Sequence, residues 1–135
     1  IASSSYVKDG DIIKKVYAST KKSKFLKQFA NEVLKVMDCS GKELANSGLI
    51  GTGSIIELYE GSTLIDKATV AVIGDIDGNG IIDTTDYLRV KSKFIGAISS
   101  LSECQEAAAD VDGNGKIDST DYIRIKGQFL GTFKI

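Results

Sequence analysis

A chain of 135 residues has room for one ordinary domain or two small ones, and neither could bury a large core. The hydrophobic fraction of 42% with mixed charges reads as soluble and globular, and a formal net charge of −1 gives no whole-chain reason to expect nucleic acid or an anionic membrane as partner. Histidine is absent, which removes the commonest general base and the commonest transition-metal ligand together.

No apolar run is long enough to span a bilayer, Ile1 does not open a signal peptide, and a start without methionine suggests a piece cut from a longer polypeptide. Lys8 to Lys35 is rich in lysine. Lys14, Lys15, Lys21, Lys22, Lys24 and Lys27 read as a solvated face, with a partner patch as the alternative. Asp11 to Thr20 contains an apolar stretch, and Ser23 to Ala30 has helical spacing through Phe25, Leu26 and Phe29. Val33 to Asp38 alternates roughly apolar and polar, and Cys39-Ser40-Gly41-Lys42 after it reads as a hairpin turn. Gly51-Thr52-Gly53 lacks the Gly-Lys-Ser/Thr of a phosphate loop and reads as a turn before a strand. Ile55 to Tyr59 and Ala68 to Ile73 are further strands, joined by a turn at Glu60-Gly61-Ser62. The first 73 residues thus form a small mixed α/β module. Nothing resembling a linker follows Ile73, so residues 1–73 and 74–135 should pack together as two domains. Cys39 and Cys104 could pair if the halves dock or both could be free; nothing in the sequence brings them together.

The second half is a repeat. Asp75 aligns with Asp110, an offset of 35 residues from 75 to 110, and the identity extends from Asp77/Asp112 through Tyr87/Tyr122 and Phe94/Phe129 to Gly96/Gly131. Each unit is a loop that turns directly into a helix. Thr85 and Thr120 stand near the helix starts, and Gly96 and Gly131 stop the helices. Tyr87, Val90 and Phe94, with Tyr122, Ile125 and Phe129, form a core stripe at helical spacing. A second apolar line runs through Leu88 and Ile95, and through Ile123 and Leu130, with the small residues Ser92 and Gly127 between them. That line either packs against the other helix or the first module, or forms an exposed partner surface. Ser99 to Ala109 reads as a short connecting helix.

The loops have the spacing of a calcium site. Calcium takes oxygen ligands from positions 1, 3, 5, 7, 9 and 12 of a twelve-residue loop, with a glycine at position 6 for the sharp turn. Those places hold Asp75, Asp77, Asn79, Ile81, Asp83 and Asp86 around Gly80, and Asp110, Asp112, Asn114, Lys116, Asp118 and Asp121 around Gly115. Position 7 offers only its backbone carbonyl, so Ile81 and Lys116 are both acceptable, and position 9 often acts through a water. Converging carboxylates repel one another by ~4 kcal/mol per pair at 4 Å and an effective dielectric of 20, which a cation would relieve. Two Ca2+ ions are expected. Ile82 and Ile117 at position 8 are expected to pair the loops across a short strand-like contact.

Position 12 is aspartate, and a strand rather than a helix leads into Asp75. This half of an EF-hand, used twice in GDIDGNGIIDTTDYLRVKSKF and ADVDGNGKIDSTDYIRIKGQF, resembles the type I dockerin family from Gly74 to about Phe133. The stretch before it, more loosely, resembles the small X modules that precede dockerins and are thought to brace them. The resemblance implies an α+β chain, a small α/β module fused to a dockerin of two calcium-binding loop–helix repeats with a connecting helix. It implies a non-catalytic, calcium-dependent docking module that binds a cohesin on a scaffold protein. Such a module attaches a secreted polysaccharide-degrading enzyme or related protein to a cellulosome-type complex, extracellular and held at the cell surface through the scaffold. The implied partner-binding residues are Thr84, Thr85, Leu88, Lys91, Ser92 and Ile95, with Ser119, Thr120, Ile123, Lys126, Gly127 and Leu130. Lys91-Ser92 and Lys126-Gly127 stand where many members have a Lys-Arg pair. The likeness of the repeats implies that either helix can lead the contact after a half-turn. Neither nucleic acid nor direct membrane insertion is expected.

Other classes compete less well. A calcium-stabilised adhesion module that binds no cohesin is one. A cytoplasmic calcium sensor would open a Met-rich groove, whereas this chain has a single methionine, Met37, outside the repeat. A stand-alone enzyme would need a catalytic constellation, and none is visible without histidine and with the aspartates committed to metal.

Overall fold

The fold is that of a computed structural model, which describes residues 6–29, 34–96, 101–132 and 134–135. Strands β1 (Val7–Asp9), β2 (Ile12–Tyr17), β3 (Leu34–Met37), β4 (Ile55–Glu60) and β5 (Thr63–Ile73) form one sheet in the order β1-β2-β5-β4-β3. The β2–β5 pairing is parallel and the other three are antiparallel. Helix α1 (Lys22–Leu26) is shorter than its spacing predicts: Gln28 and Phe29 bond back three residues, to Phe25 and Leu26, and close it as tight turns. Ala30 and Val33 lie outside the described residues. β2 bulges between Ile13 and Val16, where Lys15 adopts φ 68°, and the bulge returns Val16 to the core side.

β5 explains how the two halves join. Its alternation puts Ala68, Val70 and Val72 into a core with Ile13, Val16, Phe25, Phe29, Val36, Ile50 and Ile56. The rings of Phe25 and Phe29 in this core cluster with Tyr6 at 5.0–5.9 Å between centroids. The opposite face of β5 offers the small residues Thr69 and Ala71, and helix α3 (Glu103–Ala109) packs on β5. Ala71, Cys104 and Ala108 are buried there, and Gly74 N–H donates to Ala108 O at 2.8 Å. The C-terminal half of β5, buried from Ala68 to Val72 apart from half-buried Thr69, serves as the shared wall. The turn at 39–42 returns the chain only far enough for a single Met37–Glu43 bridge, and β3 takes β4 as its ladder partner instead. Cys39 is exposed and Cys104 buried, both free.

Helices α2 (Thr84–Phe94) and α4 (Ser119–Leu130) enclose a second core of Ile76, Val90, Ala109 and Ile125, backed by Ile82, Tyr87, Leu101, Val111, Ile117, Tyr122 and Ile135. Tyr87 at the start of α2 meets Phe129 at the end of α4, at 6.0 Å, and Phe94 meets Tyr122 at 5.4 Å. Start pairs with end, so the helices run antiparallel. Phe94 departs from the predicted core stripe: its ring rests on Tyr122, but it is 46% exposed because its turn is the last before Ile95 and Gly96 end the helix.

Candidate metal centres

Each loop is wound by its own carboxylates. In the first, Asp75 Oδ2 accepts from Gly80 N at 2.9 Å and Asp75 Oδ1 from Gly78 N at 3.1 Å. Asp86, fully buried, accepts from Ile76 N and Asp77 N on Oδ1, at 2.8 and 3.0 Å, and from Asp83 N on Oδ2 at 2.9 Å. In the second, Asp110 Oδ2 accepts from Gly115 N at 2.8 Å, and buried Asp121 accepts from Asp112 N at 3.3 Å and Asp118 N at 2.9 Å. Aspartate at position 12 is thereby explained: its short side chain reaches the backbone N–H of position 9 and so closes a capping box at the helix start.

Among the predicted ligands, carboxylate oxygens of Asp75, Asp77 and Asp86 lie within 4.8 Å of one another, as do those of Asp110, Asp112 and Asp121. Positions 1, 3 and 12 therefore converge. Position 9 does not join them. Asp83 Oδ1 accepts from Thr85 N at 3.1 Å and its Oδ2 from the Asn79 side chain at 3.0 Å, and Asp118 repeats this with Thr120 N and Asn114. The aspartate one residue before each helix is its N-cap, which starts α2 and α4 one residue ahead of Thr85 and Thr120. Ile81 and Lys116 are exposed at position 7.

Electrostatically both clusters call for positive charge. Burial first, then neighbouring carboxylates, push Asp75 and Asp86 well above the usual carboxylate range. Asp110 moves the same way, again chiefly through burial, and Asp121 rises to about 6 for that reason. Asp110 supplies the test of fit. Its Oδ1 is buried without a hydrogen-bond partner among the described residues, in a side chain that belongs to the cluster with Asp112 and Asp121. An oxygen-only set of hard, charged ligands suits calcium.

Behind the loops, Leu88, Ile95, Ile123 and Leu130 are 53–64% exposed, so the second apolar line packs against neither the other helix nor the first module. Thr84, Thr85, Lys91, Thr120 and Lys126 are also exposed, while Ser92 and Ser119 are half-buried. Gly127, between Ile123 and Leu130 on α4, is buried, and Thr132 N–H donates to Gly127 O at 2.8 Å where the chain turns back after the helix. Lys91 Nζ and Lys126 Nζ both lie over the Tyr87 ring, at 5.7 and 5.9 Å. Ile82 and Ile117 meet the second core through their side chains but form no strand bridge. The N–H groups beside them are held within their own loops, Ile81 by Asn79 and Asp83 by Asp86, with the same pattern at Lys116 and Asp118.

Sequence reasoning missed Thr52. Its backbone N–H donates to Asp75 Oδ2 at 3.0 Å from 23 residues away, and no local pattern announces a backbone donor at that range.

No helix among the described residues is long and apolar enough to cross a membrane. No curated protein matches the chain closely enough to count as a relative. One family profile, the dockerin type I domain, matches residues 73–130, which holds both acidic clusters and helices α2 to α4. Over residues 73–130 the chain is a type I dockerin domain, a non-catalytic module of calcium-dependent docking to cohesins.

Proposed function

We propose that this dockerin holds one Ca2+ in each loop and fixes its polypeptide to a cohesin on a scaffold protein, so that a secreted polysaccharide-degrading enzyme or related protein joins a cellulosome-type complex outside the cell. In this reading residues 1–73 are a small X-module-like domain and residues 74–135 the dockerin. The two carboxylate clusters, each opening directly into a helix within the matched segment, carry the reading. Calcium, when bound, would supply the positive charge that offsets the repulsion within each cluster. Asp75, Asp77 and Asp86, and Asp110, Asp112 and Asp121, hold it with their carboxylates. Asn79 and Asn114, and the carbonyls of Ile81 and Lys116, complete the shell, while Asp83 and Asp118 reach it through water.

The chain's residues then act on the partner. With each loop fixed, α2 and α4 stand antiparallel and present Leu88, Ile95, Ile123 and Leu130, flanked by Thr84, Thr85, Lys91, Ser92, Ser119, Thr120 and Lys126. Exposed aliphatics of this kind, rimmed by hydroxyls and lysines, have the composition of a docking face.

Pull-down against a panel of cohesins, with and without a calcium chelator, tests the function. Binding to at least one cohesin should disappear on chelation. In the double variant Leu88→Glu, Ile123→Glu binding should also disappear while calcium affinity persists. Cohesin binding that survives chelation, or that survives both substitutions, contradicts the reading.

A further inference from the structure

The two loops match in sequence yet sit in different surroundings. Gly115 and Gly113 in the second loop are exposed, and a Cβ built on either meets nothing within 4 Å. The first loop lies under the segment Leu49–Thr52. A Cβ on Gly80 would stand 2.6 Å from Leu49 Cβ and 3.0 Å from Ile50 O, and one on Gly78 would stand 2.7 Å from Thr52 O. A Cβ on Gly51 would collide with the Gly78 carbonyl, so the two backbones touch. Ser19 N–H donates to Gly80 O at 2.7 Å.

The covering segment is itself fixed. Ile50 N–H donates to Thr20 O at 2.8 Å, Thr52 Oγ1 accepts from Val72 N at 2.9 Å and donates to Val72 O at 3.2 Å, and Ser54 Oγ accepts from Gly51 N at 3.2 Å. Thr52 N–H then reaches Asp75 Oδ2. Asp75 consequently accepts from three backbone donors, one of them from outside its own loop, whereas Asp110 Oδ2 accepts from Gly115 N within its loop and its Oδ1 has no hydrogen-bond partner among the described residues.

We infer that the N-terminal half is a built part of the first calcium site: Leu49–Thr52 and Ser19 hold the first loop in its ligating shape, so this site binds calcium more tightly than the second, and its metal fastens the two halves together. The inference rests on the reading that each loop holds calcium. Its physical basis is preorganisation. A loop held by a rigid neighbour loses less conformational freedom when it closes on a ligand, and the difference appears as affinity. The second loop has its own side chains to hold it but no covering segment at Gly113 and Gly115.

Isothermal titration of the full chain with calcium chloride, after chelation and desalting, tests this. Asp112→Ala leaves the first site and Asp77→Ala leaves the second, and the first should bind at least about ten-fold tighter. Amide exchange in calcium should slow at Val70–Val72 in Asp112→Ala and less in Asp77→Ala, because Thr52 bonds both Asp75 of the first site and Val72, whereas the second site reaches that strand only through α3. A matched pair isolates the contact. Gly80 and Gly115 have φ of +83° and +84°, so alanine brings the same backbone strain at both. Gly115→Ala should weaken its site by about ten-fold from strain alone, and Gly80→Ala should weaken its own by about a hundred-fold or more. Equal affinities in the two aspartate variants, or equal losses in the two glycine variants, overturn the inference while leaving calcium binding intact. Absence of any calcium heat in the unaltered chain overturns the calcium reading itself, and this inference with it. If Gly80→Ala does not fold, the aspartate pair still decides.

Discussion

The cost of Asp86→Asn should depend on calcium. The carboxylate accepts from Ile76 N, Asp77 N and Asp83 N, at 2.8, 3.0 and 2.9 Å. An amide oxygen can keep the pair on one side, but the amide nitrogen then faces the remaining N–H, so one buried donor goes unsatisfied at a cost of about 1–3 kcal/mol. Against this stands repulsion. Oxygens of Asp75, Asp77 and Asp86 lie within 4.8 Å of one another. At an effective dielectric of 20 that separation corresponds to about 3 kcal/mol per fully charged pair, reduced wherever a proton is taken up. Removing the charge therefore roughly offsets the lost bond in the chelated protein, and stability should change by no more than about 2 kcal/mol in either direction. In calcium the balance differs. A site held at a hundred times its Kd contributes about 2.7 kcal/mol, and the variant forfeits that contribution along with the hydrogen bond. Thermal unfolding by circular dichroism, in chelator and in excess calcium, reads both arms. The Tm should be nearly unchanged in chelator and clearly lower in calcium. An equal fall in both would mean that Asp86 acts as a helix cap and not as a ligand.

Proton linkage gives a second expectation. Asp121, raised from an ordinary 3.8 to about 6, binds a proton in the calcium-free fold at pH values where the unfolded chain does not. The folded state thus holds more protons, and calcium-free stability should rise as pH falls from about 7 to about 4, then gain nothing further from this group. Asp75, Asp86 and Asp110 act in the same direction. Calcium affinity should weaken over the interval because proton and cation compete for the same oxygens; titrations at several pH values check both trends. Asp83→Ala should cost about 1–2 kcal/mol through loss of the α2 cap, yet weaken calcium less than Asp77→Ala does, as calorimetry and denaturant unfolding would show. Ile125→Ala, at a fully buried site, should cost about 2–5 kcal/mol, whereas Leu88→Ala, 53% exposed, should stay within about 0.5 kcal/mol in urea unfolding.

The loops were legible because their information is local. A carboxylate at positions 1, 3 and 12 of a short loop must converge whatever surrounds it, and Tyr87/Val90 with Tyr122/Ile125 marks a helical face through periodicity alone. The capping role of Asp83 and Asp118 was legible in principle, since each stands three residues before another aspartate at a helix start, but the calcium pattern claimed the same positions. The strands β1 and β2 were less legible. Val7–Asp9 is exposed throughout, and the bulge at Lys15 interrupts the alternation of β2.

The sequence by itself determined two near-equivalent acidic loops, each leading into a helix with one buried stripe. Only the tertiary structure decided that they are not equivalent. Residues some 23 positions before Asp75 return to lie on the first loop, while Gly113–Lys116 of the second loop are exposed. The physical reason is range: ligand spacing and helical period are set by the geometry of neighbouring residues. Which backbone comes to rest against Gly78 and Gly80 depends on how β5 is buried between the first core and α3, and no stretch of neighbouring residues encodes that.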